Sequence, residues 1–360
     1  MTVPSGGETT RTPEPNFGSW LGSLFPGYFA MVMATGILAV GAAQQDLHLL
    51  AEILYAIAAI AFIVLISFNL ARIALHRDKL VADLTSHTRG FAFLTLVAAT
   101  NVMASASTVV HGWKSLAWAL WWVSVVCWAI LLYFALIASV LVGPKPGLAT
   151  GINGTWFLLT VSTESIAVAG ALLFPHHRSD ALAFACVAAF VLGVVLYLIV
   201  MTMVFLRWTF QELEPTEADP PAWIAAGAVA ITVLAGSNLI EASTASERLA
   251  RLEPTVEMLV IAAWATSTFW FPLMVAIGVW RHLVRRVPLR YHPSYWALVF
   301  PLGMYGVSTT KMRGAIDAPL GAWLPTATFA IALGAWALTF GGLVHTGLSQ
   351  LGHIRRAPVQ

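Results

Sequence analysis

Long apolar runs alternate along the chain with short polar breaks. A spanning helix needs about 20 mostly apolar residues. Ten runs meet that length, at about 24–43, 50–74, 90–110, 115–141, 154–174, 181–206, 222–243, 255–280, 294–312 and 319–346. The breaks gather charge and helix-stopping residues: His76-Arg77-Asp78-Lys79, Gly143-Pro144-Lys145-Pro146, Pro175-His176-His177-Arg178, Glu212 to Pro221, Glu247 to Pro254 and Arg281 to Pro293. None is long enough for a second domain. The pattern predicts one helical membrane domain over residues 21–347, between a polar tail at 1–20 and a short tail at 348–360. The first tail lacks the basic start and apolar core of a signal peptide.

Composition narrows the class. Hydrophobic residues make up 59 % of the chain, charged residues 10 %, and the mean hydropathy is +0.79. A soluble domain carries roughly 25 % charged residues, so a soluble enzyme, a nucleic-acid binder and a disordered chain are excluded. The net charge of +2 points to no electrostatic partner. Cys127 and Cys186 lie inside apolar runs and read as packing residues. Basic residues set the orientation. With ten spans, Lys114, Arg178, Arg248, Arg251, Lys311 and Arg313 fall on one side, and the more numerous remaining Lys and Arg fall on the side of the termini. That predicts a multi-pass cell-membrane (inner or plasma membrane) protein with both termini cytoplasmic. Trp113, Trp208, Trp223, Trp280, Trp296 and Trp323 sit near run ends, as in an interfacial aromatic belt.

Polar residues inside the runs are unevenly placed. Run three holds Thr95, Thr100, Asn101, Ser105 and Ser107; run five holds Thr160, Ser162, Thr163, Glu164 and Ser165. Run seven holds Thr232, Ser237, Asn238 and Glu241, run nine ends in Ser308, Thr309 and Thr310, and run one carries Thr35 beside Gly36. The even runs are poorer, with Thr266-Ser267-Thr268 of run eight a partial exception. This alternation predicts an all-α polytopic membrane protein of five helical hairpins around a central pore, odd helices inside and even helices outside. The expected lining is Thr35, Gly36, Thr100, Asn101, Ser105, Thr160, Thr163, Glu164, Ser237, Asn238 and Thr309. The plainer alternative is that the hydroxyls bond their own backbone or a neighbouring helix.

Two segments carry a family likeness. Phe25-Pro26-Gly27-Tyr28-Phe29-Ala30-Met31-Val32-Met33-Ala34-Thr35-Gly36 and Tyr295-Trp296-Ala297-Leu298-Val299-Phe300-Pro301-Leu302-Gly303-Met304-Tyr305 both resemble the tellurite-resistance/dicarboxylate transporter family. That family includes tellurite-resistance proteins, malate permeases, sulfite exporters and the slow anion channels of guard cells. The resemblance spans about residues 20–346. It implies transport of a small anion, such as a C4-dicarboxylate (malate or succinate), sulfite, chloride, nitrate or a tellurite-related species. It also implies a homotrimer with one pore per subunit, blocked by a phenylalanine of the ninth helix, here Phe300. Local chemistry is compatible: Pro301 has no N–H, so the bond to Ala297 is lost and the helix kinks there. An aromatic ring at a constriction excludes water at little polar cost. The other readings are a Phe300 packed in a helix interface and, for the whole protein, a membrane-embedded sensor or scaffold without transport. A scaffold needs no polar inner ring.

Charges within the runs need explanation, since each costs at least about 2.5–3.5 kcal/mol at mid-membrane. Glu164 has three readings: a protonated or hydrogen-bonded structural group, a proton carrier coupled to anion movement, or the partner of a basic residue. A fixed negative charge in an anion path would repel the substrate. Glu241 is a second position for proton coupling. Lys311 and Arg313 either attract anions at the outer mouth or snorkel from a helix end. His111, His176 and His177 fall in outer loops and His345 in run ten. HExxH, GxSxG, GxxxxGK[ST] and CxxC motifs are absent, so no enzyme, metal or cofactor is expected.

Overall fold

The computed structural model describes residues 17–356 apart from residue 216; most of the first polar tail and residues 357–360 of the second lie outside the described residues. Every regular element among the described residues is helical. Ten long helices carry the fold: α1 (Ala30–Gln44), α2 (His48–Leu75), α3 (Thr95–His111), α4 (Lys114–Leu141), α5 (Leu158–Leu173), α6 (Asp180–Phe210), α7 (Ile224–Ser243), α8 (Glu253–Val279), α9 (Trp296–Ala315) and α10 (Trp323–Arg356). Nine of these segments are long and apolar enough to cross a membrane. The exception is α9, diluted by Pro301, three hydroxyl residues at 308–310, Lys311 and Arg313. α10 continues to Arg356, through the start of the expected second tail, and a short helix Phe17–Gly22 precedes the domain.

Each odd helix packs on the even helix that follows it, giving five hairpins. The odd helices also touch in sequence, α1 to α3, α5, α7 and α9, and α9 returns to α1. That closes an inner ring. Burial agrees: the four apolar odd spans are 78–94 % buried within the chain, the five even ones 11–39 %. Small residues let the inner helices approach. Gly36 of α1 faces Val102 of α3, where even one added carbon would lie 2.6 Å from Val102 Cγ1.

The odd helices share a start that the apolar pattern hides. Each is led in by a 3-10 turn: Pro26–Phe29, Gly90–Leu94, Gly154–Phe157, Pro220–Trp223 and Pro293–Tyr295. Each turn opens on Pro or Gly and carries an aromatic residue. Proline suits a first helical position because the N–H it lacks would be unpaired there anyway. The five turns contact one another in a closed ring on the face where the described chain begins and ends. We call this the terminal face.

Side-chain bonds lock four of the five outer helices, α2, α4, α8 and α10, to the next hairpin. The indole N–H of Trp336 (α10) donates to Thr35 Oγ1 (α1) at 2.9 Å, Trp128 (α4) to Thr163 (α5) at 2.9 Å and Trp264 (α8) to Thr309 (α9) at 3.2 Å. Tyr55 (α2) and Ser107 (α3) share a hydrogen bond of 2.9 Å. These tryptophans therefore pack between helices. Trp296, expected at the lipid boundary, is fully buried and donates to Tyr291 Oη at 3.2 Å. On the terminal face, arginines at the ends of even helices hold the lead-in segments. Arg72 donates to the carbonyls of Leu24 and Gly22 and pairs with Asp83 at 2.6 Å. Arg207 donates to Ala149 O and pairs with Glu217 at 2.9 Å.

Candidate functional site

Two chambers lie inside the inner ring, one above the other, and all five odd segments line both. The terminal-face chamber is apolar and small, about 20 Å³, with Met33, Leu158, Ile224, Ala297 and Phe300 in its wall. The chamber toward the opposite face is about 50 Å³ and is lined by Asn101, Ser105, Ser165, Asn238, Met304 and Lys311 among others. A cavity of this size holds at most a few waters or one small ion. The chambers share no lining residue. Phe300 borders the first and Met304, one turn further along α9, borders the second. The α9 turn between them, beside Pro301, therefore stands at the partition, with Phe300 only 1 % exposed.

Pro301 presses on α7. A carbon added at Gly227 would lie 2.6 Å from Pro301 Cγ, so the two helices meet at van der Waals contact only because Gly227 has no side chain.

The residues expected to line a pore divide into two sets. Asn101, Ser105 and Asn238 do border the opposite-face chamber, as does Lys311. Asn101 Nδ2 donates to Ser165 Oγ at 2.9 Å, and its Oδ1 accepts from Ser124 at 2.7 Å. Asn238 Nδ2 donates to Val168 O at 3.1 Å. Asn238 Oδ1 and Ser105 Oγ are buried without a partner.

The second set borders neither chamber. Thr35, Thr163 and Thr309 accept the indole bonds to outer helices, Gly36 backs on Val102, and Thr100 and Ser237 donate to Leu96 O and Val233 O of their own helices. Thr160 is buried with its hydroxyl unpartnered. Glu164 is fully buried, but its side chain lies against Gly193 of α6, on the outer side of its helix. Neither of its oxygens makes a hydrogen bond of full geometry, and the polar group set toward them is the Thr232 hydroxyl of α7.

At the opposite-face end, Lys311 Nζ pairs with Glu241 at 2.6 Å, and Arg313 Nε donates to Leu320 O at 2.7 Å. His111 stacks on Trp113 at 4.1 Å and His177 on Trp118 at 4.0 Å. Among the described residues no group of His, Cys, Asp and Glu is arranged to hold a metal ion.

Sequence reasoning missed Met33, Leu158, Ile224 and Met304. Apolar residues lining a narrow path look like core residues. Their only signal is register: Met304 follows Phe300 by one helical turn. Gln44 and Ser165 also border the opposite-face chamber, outside the expected lining.

Outside the ring, a terminal-face cavity of about 260 Å³ is bordered by Asn153, Arg207, Trp208, Glu217 and Asp219. Asp219 immediately precedes the lead-in turn of α7. Burial pushes its carboxyl up to about 7, against the opposing pull of Arg281 and Arg207.

Comparison with known proteins places this geometry. Residues 23–344 match the family described as voltage-dependent anion channel (SLAC1). A sulfite efflux pump of Trichophyton rubrum is 23 % identical over 369 residues, covering 95 % of each chain. An uncharacterized transporter of Methanocaldococcus jannaschii is 25 % identical over 301 residues, 79 % of this chain and 82 % of that protein. An uncharacterized membrane protein of Mycobacterium tuberculosis is 35 % identical over 162 residues, 45 % of this chain and 82 % of its own.

Proposed function

The chain belongs to the voltage-dependent anion channel family, and from that premise we propose that it carries small anions along the axis of its own inner ring, with Phe300 as the gate. The observation that carries this reading is the pair of axial chambers, each walled by all five odd segments and parted beside Phe300. The chambers are mostly apolar. Passage then depends on how readily an anion sheds water, helped by a few fixed dipoles, and an aromatic plug closes the path by excluding water. Sulfite is the first anion to test, because relatives aligned over 95–96 % of this chain are named sulfite efflux pumps. C4-dicarboxylates, chloride and tellurite-related species follow.

Glu164 takes a different role from a lining residue. An unpartnered ionised carboxylate in the interior costs several kcal/mol, so we read it as a neutral carboxyl in the α5–α6 contact. The absence of a hydrogen bond of full geometry disfavours its pairing with a basic residue. Coupling of proton movement to anion movement through Glu164 is tested with Glu164→Gln: pH-dependent uptake that persists in the variant removes that role. Glu241 serves by pairing Lys311, and Arg313 by tying α9 to the segment before α10.

We place the protein in the cell membrane with the terminal face cytoplasmic, as a homotrimer whose even helices meet lipid and neighbouring subunits. Native mass spectrometry in mild detergent reads that assembly. The functional test is anion flux into liposomes, wild type against Phe300→Ala. Larger flux in the variant supports the gate. No flux of any anion in either protein supports the sensor or scaffold reading instead.

A further inference from the structure

The opposite-face chamber has a chemistry of its own, and resting on the axial-path reading above, we propose that it selects a singly charged oxyanion that still carries an O–H, with Asn238 and Ser105 as the specificity-determining residues.

The charge argument comes first. Among the described residues, Lys311 is the only charged one lining the chamber, and its ammonium is 2.6 Å from the carboxylate of Glu241. The chamber is therefore close to neutral. The penalty for taking an ion out of water rises with the square of its charge. A neutral chamber can host a monoanion with the help of a few dipoles, whereas a dianion meets a fourfold larger penalty with no spare positive charge to offset it.

The hydrogen-bond argument narrows the class. Asn238 is 4 % exposed, and its Nδ2 donates to Val168 O. That bond fixes the amide, since the flipped orientation would set Oδ1 against a carbonyl oxygen. Oδ1 is left as a buried acceptor with no partner. An acceptor repels a bare anion oxygen and welcomes an O–H. Ser105, 9 % exposed, lines the same chamber from α3, and its hydroxyl has no partner either. A hydroxyl can turn to donate to a charged oxygen. An acceptor on α7 and a donor on α3 match an ion bearing both O–H and O⁻. Hydrogensulfite and the hydrogen form of a dicarboxylate have this character; nitrate, chloride and methanesulfonate lack the O–H, and sulfate carries two charges. Two buried polar atoms left empty-handed would each cost about 1–3 kcal/mol in an idle cavity. Both atoms are enclosed in this structure, so the chamber must widen around the ion before they reach it; a ligand that satisfies both then gives them a purpose that packing does not.

The test uses full-length protein in liposomes at mildly acidic pH, where sulfite is chiefly hydrogensulfite. Nitrate flux is the carrier signal, in the wild type and on a Phe300→Ala background. Hydrogensulfite, methanesulfonate and sulfate are added as competitors. The wild type is expected to be half-inhibited at an at least fivefold lower concentration of hydrogensulfite than of methanesulfonate, with sulfate weakest. Asn238→Leu should erase the difference by weakening hydrogensulfite alone, by about fivefold for one lost hydrogen bond. Ser105→Ala, which breaks no bond within the protein, should weaken hydrogensulfite and methanesulfonate together. Glu241→Gln, which frees the Lys311 charge, should admit sulfate. Equal competition by hydrogensulfite and methanesulfonate in the wild type overturns the proposal even if Asn238→Leu does not fold. So does an unchanged preference in a folded Asn238→Leu. Absence of nitrate flux on both backgrounds overturns the axial-path reading and this inference with it, whereas nitrate flux without preference overturns this inference alone.

Discussion

Gly227→Ala probes the gate from behind. Its added methyl would lie 2.6 Å from Pro301 Cγ, 2.9 Å from Cβ and 3.1 Å from Cα. Carbon atoms rest at about 3.5–4.0 Å, so relief requires a separation of roughly 1 Å. The pyrrolidine ring is bonded at both ends to the backbone and cannot swing aside as a free side chain would. The helices themselves must move, and α9 is the one that carries Phe300 next to the contact. Overpacking of this kind costs about 1–3 kcal/mol. Replacing Gly by Ala inside a helix returns about 1 kcal/mol, which leaves a net loss of about 0–2 kcal/mol, against the gain expected at an open position. Gly278 of α8 is the control, because nothing lies within 4 Å of a carbon added there; Gly278→Ala should keep or slightly raise stability. Two measurements read the outcome: thermal unfolding in detergent and basal anion flux in liposomes. Gly227→Ala should lower the first and raise the second several-fold, as Phe300 is drawn off its seat. A Gly227→Ala protein as stable as Gly278→Ala and with wild-type flux would refute the idea that the α7–α9 contact holds the gate.

Other consequences are equally direct. Asp83→Ala leaves the Arg72 guanidinium, 1 % exposed, with only the Gly22 and Leu24 carbonyls; losing one partner of a buried pair costs about 3–5 kcal/mol, and the lower end applies because Asp83 is partly exposed. Thermal unfolding in detergent measures it. Thr35→Val, Thr163→Val and Thr309→Val each remove one indole bond and should lower stability by about 1 kcal/mol while anion preference stays unchanged, so an altered preference would put those hydroxyls in the path. Asp219 gives a pH dependence with a definite sign. Its carboxyl holds a proton up to about 7 in the folded protein against 3.8 in the unfolded chain, so the folded state binds the extra proton between those limits. Stability should therefore fall as pH rises through that window and level off above it, and Asp219→Asn should abolish the slope in melting-temperature measurements.

The spans, their order and the inside–outside alternation were readable from the sequence alone, and the physical reason is the solvent. Lipid offers no partner to backbone N–H and C=O groups, so a run of about 20 apolar residues has little choice but to become a helix. Polar content then sorts helices, because a polar side chain avoids hydrocarbon wherever it can face protein. Even α9, too diluted by polar residues to count as apolar, was legible because the polar breaks bound it.

The direction in which each inner side chain points was decided only by the tertiary structure. An amphipathic helix announces its core face by periodicity, but α1, α5 and α7 are buried on nearly every side, so their pattern marks no face toward the axis. Thr163 and Glu164 are neighbours in sequence, yet Thr163 meets an indole of α4 and Glu164 meets Gly193 of α6. Neither borders a chamber, while Ser165, the next residue, does. The apolar wall beside Phe300 was invisible for the complementary reason, since Met33 and Leu158 lining a path are chemically the same as Met and Leu filling a core. The repeated lead-in turns were too short to stand out, and only the closing of the five hairpins brought them into one ring. Sequence sets which helices surround the axis because solvation acts on whole segments; packing sets which atoms face it because that choice is made between helices.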